Sequence, residues 1–267
     1  MRRIFSSLMR HPRSFLSSPP LVRPERMLPR MHLSLPVRHD GFPEKIDGTK
    51  VDAKLGWKVR EHLIKLGLET PTVENGLASE EQIGKVTEHF TGIMDTLGLD
   101  LTNDSLRDSP KRVARMFINE MFWGLNPDYF PRCTAVDNQM SYDSMVIEKD
   151  ISLSSYCEHH FVLIDGSAHV AYIPGAKVVG LSKLNRVVQY FSRRPQIQER
   201  LTEQIWAALS LILETEDVAV MINAVHHCVK TRGIQDHASS TVTTKLGGDF
   251  KNDQRTRAEF MNIVTQK

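Results

Sequence analysis

Met145-Val146-Ile147-Glu148-Lys149-Asp150-Ile151-Ser152-Leu153 alternates as a β-strand does and leads into Cys157-Glu158-His159-His160. Ala168 to Ile173 reads as a second strand, closed by Pro174-Gly175. The β-branched run from Asp217 to Val225 and the threonine-rich run from Ser239 to Thr244 also suit a pleated surface. Between them, Ser182 is placed to cap a helix through Val187, Val188, Tyr190 and Phe191. Pro195 is placed to start another through Leu201, Ile205, Leu209 and Leu213. A last helix fits Arg257 to Val264. Strands with a helical pair between them imply an antiparallel sheet with helices on one face.

Upstream, the pattern is helical. Val59, Leu63, Ile64, Leu66 and Leu68 recur near helical spacing after Asp52, and Gly67 with Pro71 ends the run. Ser79-Glu80-Glu81-Gln82 reads as a capping box for a helix through Phe90, Ile93, Met94 and Leu97. Ser109-Pro110 predicts an N-cap with proline at the first helical position, followed by Val113, Met116, Phe117 and Met121. The chain is therefore α+β, with a helical region at 52–125 and a sheet-containing domain at 126–267. The first fifty residues differ from the rest. Up to His39 there are eight arginines and one acid, Glu25, and seven of the 13 prolines precede residue 50. Such a stretch buries too little apolar surface to offset its ordering entropy, so 1–51 reads as a disordered extension. It is also arginine-rich, serine-rich and acid-poor, as organellar transit peptides are, and Met27 or Met31 could be an alternative start. With no core of its own, the extension is expected to be dispensable.

Two of the chain's three cysteines sit in histidine-rich clusters, Cys157-Glu158-His159-His160 and His226-His227-Cys228-Val229-Lys230. A Cys-x-x-His pair and one distant cysteine supply a donor set that suits zinc. No fourth cysteine exists to close a structural site, and three ligands with one open position describe a catalytic zinc. The competing reading, a Cys157–Cys228 disulfide, lacks the paired-cysteine economy of a secreted scaffold. Cys133 has no flanking histidine and reads as a small apolar filler. A formal charge of +2 gives no basic field for nucleic acid, and no apolar run approaches the ~20 residues that span a bilayer. Thiolate ligands point to a reducing cytoplasm.

Cys157-Glu158-His159-His160-Phe161, Gly180-Leu181-Ser182-Lys183-Leu184-Asn185-Arg186, Arg194-Pro195-Gln196-Ile197-Gln198-Glu199-Arg200-Leu201-Thr202 and Cys228-Val229-Lys230-Thr231-Arg232-Gly233 resemble, in order and spacing, the signatures of GTP cyclohydrolase I. The resemblance runs from about Asp52 to the C-terminus. It implies a tunnelling fold in which sheets from several subunits close a barrel. The assembly would be a homodecamer of two stacked pentamers with active sites between subunits. It also implies hydrolysis of GTP at carbon 8, giving formate and dihydroneopterin triphosphate, the entry to pterin and tetrahydrofolate synthesis. By the same resemblance Cys157, His160 and Cys228 hold zinc, and His159 and His226 transfer protons. Ser182 serves the sugar rearrangement, and Glu199 with Gln198 reads the guanine. Lys183, Arg186, Arg232, Arg112 and, less directly, Arg115 bind the triphosphate. Taken alone, each of these cations reads as a solvated surface charge, and His226 also reads as a spacer behind the ligands. His227 has no assignment.

Two rivals compete with this reading. A nucleotide-binding module without chemistry would be expected to lack one of Cys157, His159, His160 or Cys228. A pterin or deazaguanine enzyme of the same fold, such as a pyruvoyl-tetrahydropterin synthase, would hold zinc with three histidines, whereas this chain offers two cysteines and one.

Overall fold

The structure, a computed structural model, describes residues 45–46 and 49–266; the rest of the predicted disordered extension and its targeting reading lie outside them. β1 (Lys45–Ile46) and β2 (Thr49–Lys50) pair antiparallel. Val51 bridges Pro131, the Asp52 N–H donates to the Phe130 carbonyl at 2.8 Å, and the Arg132 N–H donates to the Lys50 carbonyl at 2.8 Å. The structured chain thus begins before the predicted boundary at Asp52. Backbone pairing with a distant segment orders these residues, and local composition carries no sign of it.

α1 (Ala53–Leu66) is capped by Asp52, whose Oδ1 accepts the Leu55 N–H at 3.0 Å, and ends at Gly67 with φ +70°. Gly56 lets the next segment close on this helix, since a Cβ there would lie 1.9 Å from the Pro127 carbonyl oxygen. α2 (Ser79–Thr96) and α3 (Ser109–Arg115) each start one residue earlier than their predicted caps imply. Ala78 and Asp108 hold the cap positions, and Glu81 accepts from the Ala78 N–H at 3.4 Å. α3 continues through Met116–Met121 with a wider turn, in which the Phe122 N–H donates to the Phe117 carbonyl at 3.0 Å.

The second half runs β3 (Ala135–Asp137), β4 (Val146–Cys157), β5 (Leu163–Tyr172), β6 (Lys177–Val179), α4 (Leu181–Ser192), β7 (Pro195–Gln196), α5 (Gln198–Leu213), β8 (Val218–His226), α6 (His227–Lys230), β9 (Thr241–Leu246), α7 (Gly248–Asn252) and α8 (Gln254–Thr265). β3 pairs with β6, and a five-stranded sheet has the order β7-β4-β5-β8-β9. Its pairings are antiparallel except β4 with β7, so the α+β class with an antiparallel core holds. Pro195 does not start a helix. Pro195 and Gln196 pair with Tyr156 and Cys157, and this long-range pairing delays the helix to Gln198. Ser182 is not a cap either: Gly180 is, and Ser182 sits in the first turn.

Alternation along β5 and β8 sends Ala168, Val170, Val220 and Ile222 to one face, where α4 and α5 bury them with Leu184, Val187, Leu201 and Ile205. The other face carries a smaller cluster of Ala171, Ala219 and Met221 under Phe250 and Phe260 from α7 and α8. The helical front is anchored by Arg194, buried on the rings of Tyr190 and Phe191 and paired with Glu69 at 3.1 Å. Breaking such a buried pair costs about 3–5 kcal/mol, which fixes the α1–α2 junction against the sheet domain.

Candidate active site

The β4–β5 connection is a tight turn. The Cys157 N–H donates to the Val162 carbonyl at 2.9 Å and the Phe161 N–H donates to the Cys157 carbonyl at 2.8 Å. Cys157 ends the strand and is buried, while His160 lies three residues on in the turn and is exposed. β8 lies on the other side of β5, in a register that pairs His226 with Ile164. Cys228, two residues later in α6, is thereby delivered to the same turn. One donor atom from each of Cys157, His160 and Cys228 lies within 4.8 Å of the other two. Burial and the neighbouring Cys157 thiol push the Cys228 thiol up, and a cation between the sulfurs would stabilise both thiolates. The donor set therefore fits a metal. Cys133 stands apart, buried, with its thiol pushed up to about 12 by burial, as the filler reading expects.

Phe161 holds a left-handed φ of +52°, which costs a non-glycine residue on the order of 1 kcal/mol. An aromatic cluster holds it there: its ring centroid is 6.2 Å from Phe117 and 5.4 Å from Phe122, and Phe122 lies 5.8 Å from Tyr156. The wide turn after α3 brings Phe117 and Phe122 to 5.6 Å of each other. Glu158 fixes the other side of the turn. Its N–H donates to the Gln196 carbonyl at 3.0 Å, and its carboxylate pairs with Arg200, whose Nε donates to Gln196 Oε1 at 3.2 Å. Glu158 and Arg200 were visible inside the quoted motifs, yet their mutual role was not, because it depends on β7 lying beside β4.

The histidines beside these three donors have distinct settings. His159 Nδ1 lies 3.6 Å from Cys157 Sγ, so a proton on Nδ1 faces the sulfur and Nε2 is left for other partners. His226 Nε2 lies 2.8 Å from Gln198 Oε1. The Gln198 amide nitrogen donates to the Ile222 carbonyl at 3.2 Å, the Thr241 carbonyl at 2.9 Å and Thr243 Oγ1 at 3.2 Å, so Oε1 must face His226 as an acceptor. Neutral His226 then carries its proton on Nε2, and Nδ1 is its basic nitrogen. Burial lowers the His226 pKa, and the nearby Glu199 carboxylate opposes that shift. The Gln198 side chain is buried and orients His226. Glu199 is exposed at the start of α5, and Arg232 lies close enough to Cys228 to stabilise its thiolate.

Lys183 and Arg186 fall elsewhere. Tyr172, at the far end of β5, bonds through its hydroxyl to the Val179 N–H and carbonyl at 3.3 Å, and α4 starts just after Val179. Asn185 donates to Glu148 at 3.0 Å, near the start of β4. Leu163 to Tyr172 spans about 30 Å at ~3.3 Å per residue, so Ser182, Lys183 and Arg186 lie at the opposite end of the sheet from the cysteine–histidine cluster. Arg112 and Arg115 are exposed on α3, Arg112 being 3.8 Å from Asp108.

Residues 86–265 match the family model described as GTP cyclohydrolase I. That is well over half of the chain. The chain belongs to the GTP cyclohydrolase I family. A protein of Shewanella amazonensis named GTP cyclohydrolase 1 is 54% identical over 205 residues, 77% of this chain and 95% of that protein. One of Aeromonas salmonicida with the same name is 56% identical over 203 residues, covering 76% and 93%. The matched residues of the GTP cyclohydrolase I family include every predicted site position, from Arg112 to Arg232. Among the described residues, no helix is long and apolar enough to cross a membrane.

Proposed function

We propose that this chain hydrolyses GTP at carbon 8 to formate and 7,8-dihydroneopterin triphosphate, with zinc held by Cys157, His160 and Cys228. The carrying observation is the convergence of those three donors beside His159, His226 and Glu199. Zinc bound there supplies a hydrolytic nucleophile at neutral pH by Lewis-acid activation. His159 Nε2 delivers a proton to the nitrogen that leaves as the imidazole ring opens, and His226 Nδ1 takes one up. Glu199 accepts the two adjacent donors on the guanine edge, as one carboxylate can. Ser182 acts in the sugar rearrangement.

Triphosphate binding by Lys183 and Arg186, with Arg112, Arg115 and Arg232, requires a second chain. About 30 Å of sheet separates α4's start from the metal ligands within one subunit. A neighbour bringing its own α4 to this cluster would complete the site, in keeping with the decamer of stacked pentamers and its inactive monomer. β9 supports such assembly, since its outer edge is unpaired among the described residues and Val242 on it is exposed. The reaction is placed in the cytoplasm, where reduced thiolates and the nucleotide coexist.

Substrate choice is tested by Glu199→Gln. The amide keeps one acceptor and adds a donor against guanine's two donors, so GTP binding is expected to fall about tenfold or more. Comparing GTP and ATP dissociation constants checks this, and unchanged discrimination would remove Glu199 from base recognition.

A further inference from the structure

An open pocket of about 660 Å³ lies at the start of α4, with Lys50, Arg132, Lys183 and Arg186 in its wall beside Thr134 and Gly180. No acid lines it, and none of the four cations is in an ion pair among the described residues. We propose that Lys50 and Arg132 complete, with Lys183 and Arg186, one anion pocket that takes a polyphosphate chain. The inference rests on the reading of Lys183 and Arg186 as triphosphate ligands and adds two residues to it. Lys50 lies upstream of the family match at 86–265.

Three observations set the cations together. The Arg132 N–H donates to the Lys50 carbonyl at 2.8 Å, and Val51 bridges Pro131, so backbone pairing holds Lys50 and Arg132 side by side. Cys133, next to Arg132, is buried with its sulfur 3.9 Å from the Lys183 carbonyl, which seats this segment on the first turn of α4. The 12-residue α4 has glycine at its cap and no side-chain cap bond, so its first N–H groups add to the positive end of the pocket. Four like charges in one concavity repel each other, and an anion that bridges them removes that cost. A carboxylate is too short to span the four, whereas a polyphosphate carries charge along its length and accepts from each in turn. The chain's source is either the tail of GTP or a separate polyphosphate.

Inorganic tripolyphosphate, titrated against the zinc-loaded full-length protein, tests the pocket. Arg132→Ala and Lys50→Ala are each expected to weaken tripolyphosphate about tenfold, as loss of a charge-assisted bond does. Arg132→Lys should recover much of that loss at unchanged assembly size, which separates a charge effect from misfolding. A parallel rise in KM for GTP identifies the substrate tail as the occupant; a loss for tripolyphosphate alone identifies a separate polyphosphate. If Arg186→Ala weakens tripolyphosphate while Arg132→Ala and Lys50→Ala leave it unchanged, the four-cation pocket is wrong and the Lys183–Arg186 reading stands. If all three leave it unchanged, both are wrong.

Discussion

Cys228→Ala, and separately Cys157→Ala, is expected to lose bound zinc and GTP turnover together. Each removes one of three donors that converge within 4.8 Å. Cys133 is buried against α4 with its thiol pushed up to about 12, so it cannot serve as a substitute ligand. The fold should survive, because the sheet core of Val170, Val220, Ile222 and Leu201 does not depend on the metal. Zinc content by atomic spectroscopy, about one per subunit in the wild-type protein, measures the effect. Stoichiometric zinc in both variants would refute the ligand assignment.

His159→Ala should behave differently. His159 faces Cys157 Sγ through Nδ1 at 3.6 Å but is outside the converging triad, so metal and GTP binding should persist. Turnover should drop roughly 10²- to 10⁴-fold, the range for removing a positioned general acid. Single-turnover rates at saturating GTP, read beside zinc content, separate this from loss of the metal. A variant that kept the wild-type rate would move the proton donor to His226, whose ring is already oriented by Gln198.

The contrast between these two variants reflects what a sequence carries. The converging donor set was legible because Cys-x-x-His and a distant cysteine are a chemical pattern, and the strands that deliver them alternate plainly. Glu199 acts electrostatically on His226 and Arg232 on Cys228. The lost information is tertiary. Spacing at i,i+3 puts Lys183 and Arg186 on one helical face but does not say at which end of the sheet that helix starts. The buried partners of Gln198 were not legible because Thr241, Thr243 and His226 lie far away in the chain. Pro195 looked like a helix start because its pairing with Tyr156 is a long-range fact. Lys50 was hidden because it precedes Asp52, in the segment read as a disordered extension.

Release of formate from GTP labelled at carbon 8 tests the account most directly, using zinc-loaded protein separated by size. The account predicts one labelled formate per GTP consumed in fractions of the large assembly, with a product that becomes fluorescent on oxidation. It predicts none in monomer fractions, where the Cys157–His160–Cys228 cluster and the Lys183–Arg186 end cannot meet. Labelled formate from the monomer would contradict the shared site, and none from any fraction would contradict the assigned reaction.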